Sequence, residues 1–198
     1  MKDVFLEKIL TKIRYEILVN LFKKKREFLN KNSKFIFALS ENCFFNEYIF
    51  ITTSKEKNFL IRLKDLIKKS KEILELEIGI LGSYIPIGSI ENIKKKLERF
   101  ESKNSEFNSL YKVQIIEVEE EKKISYSIKS LARISNDISD RVQKQYEENP
   151  YPRWRYINKR NFMHSVDVIN NQIRPNRIKF DDKLNRPNIL IAGCGTGK

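Results

Sequence analysis

The chain has 198 residues, 40% hydrophobic and 11% aromatic, enough for one packed domain and part of another and against global disorder. Lys and Arg number 39 against 26 Asp and Glu, a formal net charge of +13. No apolar run reaches the roughly 18 residues that a membrane helix needs, so no span is expected. Glu7 and Lys8 interrupt the N-terminal apolar stretch, so no secretory leader is expected either. The two cysteines, Cys43 and Cys194, have no metal-ligand spacing, and a reduced, cytoplasmic setting fits them. The lysines fall in scattered groups, among them Lys23–Lys25, Lys68–Lys69 and Lys94–Lys96. Solvated helix faces account for such scatter better than a nucleic-acid surface, which is the less favoured reading.

In chain order, residues 4 to 29 predict one long amphipathic helix, with Phe5, Ile9, Ile13, Ile17 and Leu21 on one face. Asn30–Ser33 ends it, and Ser33 is placed to cap the next helix. Phe35 to Phe50 begins helix-like, but Tyr48–Thr52 has β-type composition. Thr53 and Glu56 have capping-box spacing before a helix through Leu60, Leu63 and Ile67. A helix over Ile73–Leu81 follows, then a turn at Pro86 and Gly88. Ser89 is expected to cap a short helix to about Phe100, and Glu101–Asn108 to be a loop. The acidic run Glu117–Glu121 flanks the next helix start, and Ile124, Ile128, Leu131, Ile134, Ile138, Val142 and Tyr146 mark its face. Pro150 and Pro152 stop it. Residues 151–186 show little periodicity and carry Arg153, Arg155, Arg160, Arg174, Arg177 and Arg186, which predicts an extended basic connector.

Two stretches carry chemistry. The first is Gln145-Tyr146-Glu147-Glu148-Asn149-Pro150-Tyr151-Pro152-Arg153-Trp154, a helix end stiffened by two prolines with three aromatics and an arginine at the break. It suits either a lid wall or a packed helix terminus. The second is the apolar strand Ile189–Ile191 running into Gly193-Cys194-Gly195-Thr196-Gly197-Lys198. Glycines there let the backbone approach a ligand without a Cβ in the way. Ala192–Lys198 also fits most of a phosphate-binding P-loop, which needs a Ser or Thr directly after the lysine.

Taken together, these stretches resemble bacterial class I S-adenosylmethionine-dependent methyltransferases of the tetratricopeptide-repeat-associated type. In that family a QYEENPYPRW segment precedes the Rossmann-like domain, and a hydrophobic strand leads into GCGTG. Phe5–Arg14, Ala38–Tyr48 and Tyr84–Pro86 are similar as well. The resemblance implies S-adenosyl-L-methionine as cofactor. It implies contact through Gly193, Cys194, Gly195, Thr196 and Gly197, with Tyr146, Tyr151 and Trp154 as lid candidates. Arg153 is placed to face a carboxylate or an acidic acceptor. The catalytic residues and the acidic residue that holds the ribose would come after Lys198. His164, the lone histidine, is assigned to surface or packing.

The expected fold is mainly α. A helical domain over 1–148 leads through a basic connector and lid segment, 149–186, to the start of a Rossmann-like domain at 187–198. As given, the chain is expected to hold only the first turn of the cofactor pocket, with Ile189–Ile191 partly exposed or resting on the helical domain. Leu6, Ile13, Leu39, Phe44, Leu63, Leu74 and Leu131 are the expected core. The methyl acceptor is not specified by any motif, and the helical domain is a candidate surface for a protein partner. A P-loop nucleotide-binding fragment and a non-enzymatic helical interaction module are the alternatives.

Overall fold

The computed structural model describes residues 4–98, 100–128, 141, 145, 163 and 165–177. By compactness the chain divides into two units, Met1–Asp137 and Ile138–Lys198. Among the described residues the architecture is helical, with no strand. The predicted strand Ile189–Ile191 and core residue Leu131 lie outside the described residues.

The first unit opens with α1 (Val4–Phe22), which buries Arg14, Ile17 and Leu18. The expected single helix to residue 29 is in fact two. At Lys24 the backbone turns left-handed (φ 56°), and α2 (Arg26–Lys31) begins. No glycine or proline forces this break. The turn instead sends Leu29 into the core and brings Arg26 to the buried Glu77 at 2.6 Å. Tertiary contacts therefore override a continuous helical pattern.

Helix α3 (Ser33–Phe45) buries Ile36, Phe37, Leu39, Ser40, Cys43 and Phe44. Its N-cap is Asn32, without a side-chain cap bond, and Ser33 is the first helical residue, so the expected Ser33 cap does not form. Glu47 and Tyr48 then adopt left-handed φ values of 51° and 54°. The β-type stretch Tyr48–Thr52 continues as irregular backbone.

Thr53 starts α4 (Ser54–Lys69) with the predicted capping box: Glu56 N donates to Thr53 Oγ1 and Thr53 N donates to Glu56 Oε2. Such a cap contributes about 1 kcal/mol. At the other end Lys96 donates to the carbonyls of Ile67 and Ser70, at 2.8 and 2.6 Å, closing the helix from outside. Helix α5 (Glu75–Gly82) is buried along nearly its whole length and forms the centre of the unit. It crosses α3 at its glycines. A Cβ on Gly79 would sit 2.6 Å from the Phe37 ring, and one on Gly82 2.5 Å from Ser40 Oγ. Only glycine permits that approach.

A 3₁₀ turn (Ile87–Ser89) leads to α6 (Glu91–Leu97). Ile90, not Ser89, occupies the N-cap, because the Ser89 hydroxyl donates back to Pro86 O at 2.6 Å. The expected loop at 101–108 is half helix: α7 (Ser105–Tyr111) starts on Asn104, whose Oδ1 accepts from Glu106 N and Phe107 N. A π-helical turn (Lys112–Ile116) joins it to α8 (Glu117–Ser127), so the acidic run lies within a helix and does not merely flank one.

Leu39, Phe44 and Leu63 are buried as predicted, and full burial of one leucine contributes roughly 2 kcal/mol. Ile13 and Leu74 are only half-buried. Leu6 is 43% exposed because it lies towards the outer end of α1, away from Ile17 and Leu18. In the second unit, α9 (Ser165–Gln172) is a helix inside the stretch expected to be an extended connector. Arg174 donates to Asn171 at its C-terminal end.

Candidate functional site

The residues that the sequence nominated for cofactor binding are Gly193, Cys194, Gly195, Thr196, Gly197, Tyr146, Tyr151, Arg153 and Trp154. All of them lie outside the described residues, as does His164. The described part of the first unit instead shows two buried polar centres and one groove.

The first centre is built on Arg14. The residue is 1% exposed. Nη2 donates to Ile51 O at 2.9 Å and reaches Thr52 Oγ1 at 3.3 Å, while Nη1 donates to Ser83 O at 3.2 Å. The guanidinium carbon lies 4.1 Å from the Tyr84 ring centroid and 5.4 Å from that of Phe50. Arg14 thus ties α1 to the irregular segment after α3 and to the end of α5. The carbonyls of Phe50 and Ile51, which a β partner would have satisfied, are met by this side chain instead. Beside it Tyr84 donates to Glu56 Oε1 at 2.9 Å, while Thr53 N and Thr53 Oγ1 both donate to Glu56 Oε2 at 2.7 Å. The Glu56 carboxylate is therefore fully engaged although only 2% exposed.

Burial pushes the Tyr84 hydroxyl far above its ordinary value, and the Glu56 charge adds to the effect. Burial likewise raises Cys43 from 9.0 to about 11, with the Arg14 charge pulling partly the other way. A neutral, enclosed thiol is a poor nucleophile. The centre is a structural clasp, with no acid, base or nucleophile open to a substrate. Sequence reasoning missed Arg14, yet a signal existed: Leu10, Arg14, Ile17 and Leu21 share helical spacing, so a cation stands in the apolar stripe.

The second centre is Gln114, in the π-helical turn. Its amide nitrogen donates to Ser40 O and Gly82 O, each at 3.2 Å, and its oxygen accepts from Ile87 N at 3.0 Å. Tyr48 reaches the same oxygen at 3.4 Å. A π turn inserts one extra residue per turn and rotates the following side chains, which here brings Gln114 inward. Gly88 packs on this turn: a Cβ there would lie 2.8 Å from Gln114 O.

The groove, of about 780 Å³, runs between the first half of α1 and the start of α4. Val4, Lys8, Lys12 and Tyr15 form one stripe of α1, facing Ile51 and Lys55. Its walls are mostly apolar, and Ile51 is 75% exposed. Glu7 and Glu56 also border it.

Among the described residues no group of three or more His, Cys, Asp or Glu is placed to hold a metal ion. No described helix is long and apolar enough to cross a membrane. No family model, curated protein or solved structure matches the chain.

Proposed function

We propose that this chain carries the helical portion and the first cofactor-binding motif of an S-adenosyl-L-methionine-dependent methyltransferase, its acceptor undefined. One observation carries the reading. The segment Gln145–Trp154 and the strand-and-glycine motif Ile189–Gly197 occur together, in the order of the family they resemble. Either alone is weak; together they are specific. In this reading the backbone around Gly193–Gly197 lies against the cofactor, where side chains would obstruct it. The bound cofactor supplies an electrophilic methyl group on a sulfonium. Tyr146, Tyr151 and Trp154 cover the pocket and exclude water, and Arg153 holds a carboxylate. Orientation and water exclusion are what the protein contributes to a direct displacement.

Calorimetry with S-adenosylmethionine tests this, with ATP titrated in parallel. Residues 1–198 alone are expected to bind weakly, because one glycine turn orders at a cost of about 1 to 2 kcal/mol per residue and supplies few hydrogen bonds. The chain continued through a second strand with an acidic end is expected to bind, and Gly195→Val to abolish binding. A continued chain that ignores S-adenosylmethionine, or prefers ATP, overturns the proposal. Micromolar binding by residues 1–198 alone would relocate the pocket to residues 145–160.

A further inference from the structure

We infer that the groove between α1 and α4 is a binding site for a small anionic amphiphile, an apolar chain or ring bearing a carboxylate-like head. This is independent of the methyl-transfer reading and involves none of the residues assigned to its cofactor. Size is the first argument. About 780 Å³ falls in the range of small-molecule sites, roughly 300 to 1,000 Å³. Its walls are the second. Val4 and Ile51 are both strongly exposed yet face one concavity with the Tyr15 ring, an apolar surface that water solvates poorly.

Charge is the third argument, and it selects the head group. Lys8, Lys12 and Lys55 border the groove, and none has an ion-pair partner among the described residues. Two acids oppose them. Glu56 is an opposing charge in the first turn of α4, with both its oxygens taken up by Tyr84 and Thr53. Glu7 remains as the one opposing charge on the α1 side. Three lysines against two glutamates leave one net positive charge, which favours an anion lying along the Lys8–Lys12 stripe with its apolar body against Ile51.

Decanoate is the probe, with decyltrimethylammonium as a control of equal chain length and opposite charge. Both are titrated below their micellar concentrations into the 198-residue chain by calorimetry. Saturable one-to-one binding of decanoate is expected, with the cationic probe weaker by about tenfold or more, the effect of a few charges near a protein surface. The double variant Lys8→Glu/Lys12→Glu should lose decanoate by a similar factor, and so should Ile51→Asp. These side chains are exposed, so thermal melts should match the parent. Equal affinity for both probes overturns the inference. So does decanoate binding that survives either variant, or binding that fails to saturate. If either variant melts early, Lys55→Glu carries the charge test and Ile51→Ser the wall test.

Discussion

Arg14 and Gln114 do the same job with different chemistry. Each is a buried polar side chain that reaches several backbone groups far away in sequence. Arg14 joins α1 to residues 51–52 and Ser83. Gln114 joins the π turn to Ser40, Gly82 and Ile87. The amide is neutral and presents both a donor and an acceptor, so it matches its surroundings on both sides. The guanidinium is a charge that meets no carboxylate directly among the described residues; carbonyls and two aromatic faces stand in, and its Nε has no hydrogen-bond partner there. Arg14 is also the larger side chain and lies against two aromatic rings, so its removal forfeits more packing as well as its hydrogen bonds. The α1 side of the unit therefore depends on its anchor more than the π-turn side does.

The comparison breaks most readily at Arg14. Arg14→Ala leaves a cavity and orphans the carbonyls of Ile51 and Ser83, and should cost about 3 to 5 kcal/mol. Arg14→Met restores volume but no donors, and should recover only part of that loss. Urea unfolding followed by circular dichroism measures both. A loss below that of the glutamine variant would reverse the ranking.

Gln114→Leu comes next. It keeps the apolar bulk and strands Ile87 N–H with the Ser40 and Gly82 carbonyls, which should cost about 2 to 3 kcal/mol. Hydrogen exchange sharpens the point: the amide of Ile87 should lose protection, while amides of α4 on the other side should not. Uniform loss would mean that the two anchors belong to one cooperative block.

Legibility in the sequence follows the range of the forces. The Thr53–Glu56 capping box is local, a matter of four residues, and forms as predicted. The α4 face through Leu60, Leu63 and Ile67 is likewise local periodicity. What failed depends on distant partners. Tyr48–Thr52 has β composition, but its carbonyls are claimed by Arg14, more than 30 residues away, and not by a neighbouring strand. The break at Lys24 follows from where Leu29 and Arg26 end up, not from the lysines themselves. Helix α7 was hidden by polar composition, although Asn104 is a good capping residue two to three positions ahead of Glu106 and Phe107. The motif residues at 145–154 and 189–197 were legible as pattern alone.

The smallest expected effect lies beside Arg14, at Cys43. It is fully buried near Arg14, and its thiol is raised from 9.0 to about 11, mainly by burial. Below pH 9 the thiol is neutral whether the chain is folded or unfolded, so it contributes no pH dependence. Above pH 9 the unfolded chain releases the proton while the folded chain keeps it. Stability is therefore lost as pH rises from 9.0 towards 11, by about 1 kcal/mol at pH 10. Tyr84 is raised as well and acts in the same direction, so the total alkaline slope does not isolate the thiol. The informative quantity is the difference between the parent and Cys43→Ala, both carrying Cys194→Ser so that the second thiol is removed. Cys43→Ala should be less stable at pH 7, from lost packing, yet lose stability more slowly between pH 8 and pH 10. In the parent, a thiol reagent should label Cys43 only as fast as the unit opens. Matching alkaline slopes in the two proteins, or rapid labelling at pH 8, would mean that the space beside Arg14 admits water and that the charged anchor is less enclosed than the neutral one.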